Sequence, residues 1–145
     1  MSPAFAQYPC LNGKTIFVTG GASGIGADIV TGFAVQGAKV GFVDLDATAA
    51  QALVDQTDGT VAFAQCDLRD IAALKAAFET LADQLGPAQV LVNNAARDDR
   101  HDWKDVTPAY WDERMATNIR HMFFAIQSVA PGMIAAGGGS IINMG

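Results

Sequence analysis

The stretch Thr19-Gly20-Gly21-Ala22-Ser23-Gly24-Ile25-Gly26 constrains this chain more than any other. It follows the apolar run Ile16-Phe17-Val18 and leads into Ala27-Asp28-Ile29-Val30. A β-branched and aromatic run that breaks into glycines and then resumes reads as strand, tight turn, helix. Glycine permits positive φ and lets a ligand approach with no Cβ in the way. A helix starting near Ser23 aims its unpaired N–H groups and positive dipole end at an anion. The turn therefore reads as a phosphate cradle. Its spacing, GxxxGxG from Gly20, Gly24 and Gly26, differs from the GxGxxG of the commonest dinucleotide fingerprint, so on this stretch alone a glycine-rich turn of some other βα unit stays open.

The chain has 145 residues, 50% hydrophobic and 17% charged, which suffices for one buried core and predicts a single domain over 1–145. A net charge of −6 with only 9 Lys and Arg argues against a nucleic-acid partner, which needs a basic face. No stretch approaches the apolar length that spans a bilayer, and residues 1–9 lack the basic and apolar regions of a signal peptide. Cys10 and Cys66 stand in no CxxC pair or His-rich cluster. No metal is expected, and reduced thiols in a cytoplasmic protein fit.

Residues 1–13 read as a lead-in marked by Pro3, Pro9 and Asn12-Gly13, before a first strand over 14–19. A helix over 24–36 can turn Ile25, Ile29, Phe33 and Val35 to a sheet, with Gly37 closing it. The second strand, 39–43, ends at Asp44, where a dinucleotide-binding fold keeps a carboxylate about 20 residues past its glycines for the adenosine ribose. Asp44 can accept both ribose hydroxyls and would repel a 2′-phosphate. Ala22, Ser23 and Leu45 offer that phosphate no cation, so NAD is preferred over NADP. Asp46 reads as the N-cap of a helix over 47–56.

A third strand over 61–66 ends at Asp67-Leu68, and Asp70 caps a helix over 71–85 whose Ile71, Leu74, Phe78, Leu81 and Leu85 form a core stripe. The fourth strand, 89–93, runs into Asn93-Asn94-Ala95-Ala96. Asparagine there can hold adjoining strand backbone through its amide, and small alanines let a flat ligand pass; a plain turn is the alternative for Asn94. The charged run from Arg97 through Asp98, Asp99 and His101 to Asp102 follows a strand's carboxyl end, where ligands sit in open α/β sheets, and is equally readable as a solvated loop. Thr107-Pro108 starts a helix that continues over 109–116. Asn118 falls near a break before a long helix to residue 136, whose Ile119, Met122, Phe123, Ile126, Val129, Met133 and Ile134 can cover a sheet and a neighbouring subunit. His121 reads as a helix-surface or interface residue off that stripe. Gly137-Gly138-Gly139 leads to a fifth strand from Ser140. Alternating strands and helices give an α/β fold, a doubly wound parallel sheet of Rossmann type running to about the fifth strand.

Four features now coincide: TGxxxGIG over Thr19–Gly26, Asp67-Leu68, Asn93-Asn94-Ala95-Ala96, and Asn118 ahead of Ser140-Ile141-Ile142-Asn143. Together they resemble the short-chain dehydrogenase/reductase family over essentially the whole chain, with NNAA in place of the usual NNAG. The runs Ala96–His101 and Trp111-Asp112-Glu113-Arg114 through Arg120-His121-Met122 look most like bacterial NAD-dependent aldose 1-dehydrogenases, acting on xylose, arabinose or galactose.

The resemblance implies hydride transfer between nicotinamide and a sugar's anomeric carbon, yielding a lactone. It implies cofactor contacts from Gly20, Ser23, Gly24, Ile25, Gly26, Asp44, Leu45, Asp67, Leu68, Asn94, Ala95 and Ala96. Substrate contacts are expected at Asp98, Asp99, His101, Asn143 and Gly145. Such enzymes use a tyrosine, a lysine, a serine and an asparagine; only the asparagine has a match, Asn118. Tyr8 and Tyr110 have Asn12 and Arg114, not lysine, four positions on. The serine is expected directly after Gly145 and the YxxxK pair further along, so the chain reads as the N-terminal part of such an enzyme, inactive alone and with its last strand and one helix exposing apolar surface. The partners expected are a sugar and further copies of the chain. Action on another alcohol or carbonyl, or a dinucleotide-binding module without turnover, are the alternatives.

Overall fold

The computed structural model describes residues 6–145. Five strands, β1 (Thr15–Thr19), β2 (Lys39–Asp44), β3 (Thr60–Gln65), β4 (Val90–Asn93) and β5 (Ser140–Asn143), form one sheet in the order β3-β2-β1-β4-β5. Every neighbouring pair is parallel. The helices are α1 (Gly24–Ala34), α2 (Ala47–Gln56), α3 (Ile71–Leu85), α4 (Pro108–Met115) and α5 (His121–Ala135), and α4 and α5 are joined by a π-helical turn, Ala116–Arg120.

The central strand explains the layering. All five residues of β1 are buried, and the two-residue period of a strand sends them alternately to opposite faces. Ile16 and Val18 join Val30, Ala34 and Ala50 of α1 and α2 on one side. Phe17 joins Leu74, Phe78 and Leu81 of α3 and Ala125 and Val129 of α5 on the other. Phe17 and Phe78 meet with ring centroids 5.2 Å apart. The helix starts obey their caps: Asp46 accepts from Ala49 N at 2.9 Å, Asp70 from Ala73 N at 3.0 Å, and Thr107 from Tyr110 N at 3.2 Å.

Three expectations need correction. First, α1 packs through Gly26, Val30 and Ala34, while Ile25 and Val35 are exposed and only Ile29 and Phe33 of the predicted face lie against the core. Small residues at four-residue spacing let the helix axis sit close to the sheet, which outweighs the larger side chains beside them. Second, α5 turns His121, Ala125, Val129 and Met133 inward, leaving Ile119, Phe123 and Ile134 exposed. This helix is apolar over most of its circumference, so its pattern selects no face; Ala125 permits the close approach. Third, no break separates α4 from α5, because the π turn carries the helix through Asn118 with one wider turn. At the sheet edge, Ile141 and Ile142 of β5 are 40% and 43% exposed.

The first correction is measurable. Val30→Ala, which empties a fully buried site on α1, lowers unfolding free energy by about 2 kcal/mol, whereas Ile25→Ala changes it by less than about 0.5 kcal/mol in urea unfolding.

Candidate functional site

The strand order reverses at β1, with β2 on one side and β4 on the other, so the connections leaving these strands diverge above their carboxyl ends. An open cleft of about 470 Å³ occupies that divergence. Its walls come from the β1–α1 glycine turn, the end of β2, the β3–α3 turn, the residues after β4, and the α4 end of the long helix.

The glycine turn is held from both sides. Gly20 and Gly21 donate from their main-chain N–H groups to Val43 O at 2.8 and 3.3 Å, which ties the turn to β2. Asn94 Nδ2 donates to Thr19 O at 3.2 Å and to Gly20 O at 2.9 Å, which ties it to β4. This packing dictates Gly26: a Cβ there would lie 1.8 Å from Gly20 O and 2.7 Å from Asn94 Nδ2. Gly24 differs, with φ at +53° and open space where a side chain would go. Ser23, at the N-cap of α1, makes no side-chain cap bond, so its hydroxyl and the first amides of the helix face the cleft uncommitted to one another. An anion at that end would meet main-chain donors and the Ser23 hydroxyl, with no Cβ at Gly24.

Asp44 closes the second wall. One carboxylate oxygen accepts from Ala22 N at 2.9 Å and the other from Asp46 N at 3.1 Å, so the side chain is fixed while each oxygen keeps acceptor capacity. Leu45 beside it is exposed on the rim. Asp67 is clamped by its neighbour: Arg69 donates to it from Nε and Nη2 and from its main-chain N, and this hydrogen bonding holds the carboxyl below the usual range. Leu68 packs against the core and lines the cleft, and Ala95 and Ala96 line it as well. Ala95 presses on the glycine turn so closely that a Cβ at Gly20 would be 2.8 Å from its Cα.

Asn118 is spent on main chain. Its Oδ1 accepts from Arg97 N at 2.7 Å and its Nδ2 donates to Arg97 O at 3.0 Å. In this way the π turn fastens the loop that leaves β4. Asp99 and His101 are likewise engaged. Asp99 Oδ2 meets Arg114 Nη2 at 2.9 Å and Arg97 Nε at 2.8 Å, and the Arg114 bond foremost holds its carboxyl low. His101 stacks on Tyr110 with centroids 4.3 Å apart. The loop is thus folded onto α4, with Asp98 exposed. Asn143 Oδ1 accepts from Asn93 Nδ2 at 2.8 Å, and Gly145 is exposed. The structure therefore gathers Gly20, Ser23, Ile25, Gly26, Asp44, Leu45, Asp67, Leu68 and Asn94–Ala96 around one cleft, and leaves Gly24, Asn118, Asp98, Asp99, His101, Asn143 and Gly145 out of its lining.

Sequence reasoning missed four lining residues, Cys66, Arg69, Glu113 and Thr117, while Arg97 opens the charged run that it places at a strand's carboxyl end. Glu113 lies 3.5 Å from Arg69 and 3.8 Å from Arg97, bridging two cations from opposite walls. No local spacing links positions 69, 97 and 113, so only the tertiary fold reveals the bridge. The Cys66 thiol is pushed up to about 11 chiefly by burial, with Asp67 and Asp70 adding to it. Among the described residues, no three His, Cys, Asp or Glu side chains converge as metal ligands, and no helix is long and apolar enough to cross a membrane.

His121 departs most from its expectation: it is fully buried beneath the cleft, not on a helix surface or interface. Burial pushes its pKa below the ordinary 6.5, opposed in part by the Thr117 main chain. Below pH 6.5 the unfolded chain takes up a proton that the folded chain resists, so the contribution of this group to stability is whole above 6.5 and declines as pH falls towards the depressed folded value. The difference in unfolding free energy between wild type and His121→Gln should be constant above pH 6.5 and shrink below it, as denaturant titrations across pH 5–8 would show.

Residues 14–145 match the short chain dehydrogenase family. The chain is 49% identical over 143 residues to a D-xylose 1-dehydrogenase of Caulobacter vibrioides, an alignment covering 97% of this chain and 56% of that protein. It is 49% identical over 142 residues to the "Probable galactose dehydrogenase GalD" of Rhizobium meliloti, covering 95% and 56%. A D-threitol dehydrogenase of Mycolicibacterium smegmatis is 39% identical, covering 92% and 53%. The chain therefore spans little more than half the length of these relatives. Among solved structures, a Serratia marcescens short-chain dehydrogenase/reductase variant superposes with a TM-score of 0.87 at 34% identity, covering 95% of this chain and 57% of that one.

Proposed function

The chain belongs to the short-chain dehydrogenase family, and from that premise we propose that it forms the dinucleotide-binding part of an NAD-dependent sugar dehydrogenase that oxidises the anomeric hydroxyl of an aldose to the lactone. One contact carries the cofactor half of this reading: Asp44, fixed by the Ala22 amide, presents acceptor oxygens at the rim of a glycine-cornered cleft. The likeness to xylose and galactose dehydrogenases along nearly the whole chain supports the sugar half.

The residues present fit a dinucleotide. The Cβ-free surface at Gly24 and the uncapped first turn of α1 suit a pyrophosphate. The carboxylate of Asp44 suits the ribose diol of the adenosine, and Asp67-Leu68 border the space beyond it. Bound nicotinamide supplies the hydride acceptor. The chain's own residues bind and orient: Asn94 sets the turn that meets the phosphates, and Asn118 fixes the Arg97 main chain beside the reacting end of the cleft. The tyrosine that removes the hydroxyl proton in this family, the lysine that lowers its pKa and the serine that steadies the substrate oxygen would come from residues after Gly145.

We assign substrate contacts at Asp98, Asp99, His101, Asn143 and Gly145 only through further ordering with those residues and the sugar. The exposed row of Trp111, Ile119 and Phe123 along α4, the π turn and α5 supports self-association into a homo-oligomer. The two free thiols suit the reducing cytoplasm.

In the full-length protein, NADH formation is expected with a pentose or hexose. Turnover of an open-chain polyol but of no aldose would remove the sugar reading in favour of the polyol dehydrogenase one that the threitol relative favours. Asp44→Ala combined with Leu45→Arg should raise the NADP-to-NAD ratio of kcat/KM by about tenfold or more, since it deletes the carboxylate and adds a phosphate partner. A wild type equally active with NADP would contradict the role given to Asp44.

A further inference from the structure

Thr19 is fully buried at the end of β1, and its hydroxyl oxygen accepts two main-chain hydrogen bonds, from Asn94 N at 3.1 Å and Ala95 N at 3.2 Å. A hydroxyl has two acceptor lone pairs and one proton. With both lone pairs engaged, only the proton remains to be placed. The hydroxyl's further polar contact is His121 Nε2, at 3.5 Å. The ring must accept there, which requires it to be neutral with its own proton on Nδ1.

The surroundings of the ring keep it neutral. His121 is fully buried, and no charged side chain acts on its titration; burial and the Thr117 main chain are the influences present. Nδ1 closes no well-formed hydrogen bond. Thr117 lies in the π turn, where i to i+5 bonding loosens the carbonyl ladder beside Asn118.

We propose that His121 is a positioning residue of the nucleotide cleft: by accepting the Thr19 proton it keeps the Thr19 oxygen free for the Asn94 and Ala95 amides, and so sets the main chain that floors the cleft. The functional half of this rests on the reading of the cleft as an NAD site. At 3.5 Å the contact is long, so its effect is to direct the hydroxyl more than to add stability. Without the acceptor, the buried proton turns towards one of its two N–H partners and displaces it. Asn94 also holds Thr19 O and Gly20 O through its amide, so a shift of its main chain moves the glycine turn as well.

The tests use the full-length protein. Nitrogen-15 NMR of the histidine ring at neutral pH should show His121 protonated at Nδ1 and bare at Nε2; a proton on Nε2 overturns the proposal. His121→Leu should accelerate amide exchange at Asn94 and Ala95 and weaken NADH binding by about tenfold, the worth of one buried hydrogen bond. His121→Gln, which keeps an acceptor, should stay within about threefold. Thr19→Val, which takes the acceptor from both amides, should lose more than His121→Leu, and the double variant should lose no more than Thr19→Val. Unaltered exchange and affinity in His121→Leu, or equal losses in Leu and Gln, would mean that the side chain only fills space. If the Leu variant fails to fold, the ring tautomer decides. If wild type binds no NADH, the nucleotide reading falls, while the tautomer and the exchange at Asn94 and Ala95 still judge His121.

Discussion

The side-chain amide of Asn94 is the contact on which the rest of the cleft depends. At the carboxyl edge of a parallel sheet, strands end with main-chain carbonyls that no further ladder can satisfy. Asn94 reaches from the end of β4 across to Thr19 O and Gly20 O, taking up two such groups at the place where the strand order reverses. Because Gly20 O, and next to it the amide that holds it, occupy the space where a Cβ would go, residue 26 has no room for a side chain, and α1 can start close against the sheet. A buried polar contact of this kind costs little when every group is partnered and a great deal when one is lost. The glycine turn is therefore shaped as much from β4 as from its own sequence.

A second layer of order comes from charge. Arg69, Glu113 and Arg97 link the β3–α3 turn, α4 and the β4 loop across the cleft mouth, and Asp99 gathers Arg97 and Arg114. Most of these groups are substantially exposed, so each pair contributes modestly to stability and is screened by salt. Their effect is geometric: they keep the loop after β4 folded against α4 and out of the cleft.

Much of this was legible in the sequence. The strand order of apolar runs, the caps at Asp46, Asp70 and Thr107, and the stripe of α3 are local signals with local causes, and they stand where the pattern places them. So are Gly20, Gly26 and Asp44, whose spacing carries the turn and the carboxylate. What was not legible depends on distance or on ambiguity. In α5 nearly every face is apolar, so only contact with the sheet reveals that Ala125 and His121, and not Phe123, point inward. The joining of positions 69, 97 and 113 and the burial of His121 under Thr19 arise from residues far apart in the chain. The π turn has no composition of its own and was read as a break.

That widened turn has a consequence for how the long helix can change. A regular helix from Pro108 to Ala135 would lock the loop-holding end and the sheet-covering end into one rotational setting. Holding one surplus residue at Ala116–Arg120 uncouples the two, so that Arg114 can grip Asp99 while Ala125 beds onto the strands. Swaps of side chain within this segment preserve the offset, but shortening it by a single position would swing one end by roughly 100° relative to the other, and no repacking of individual residues could restore both.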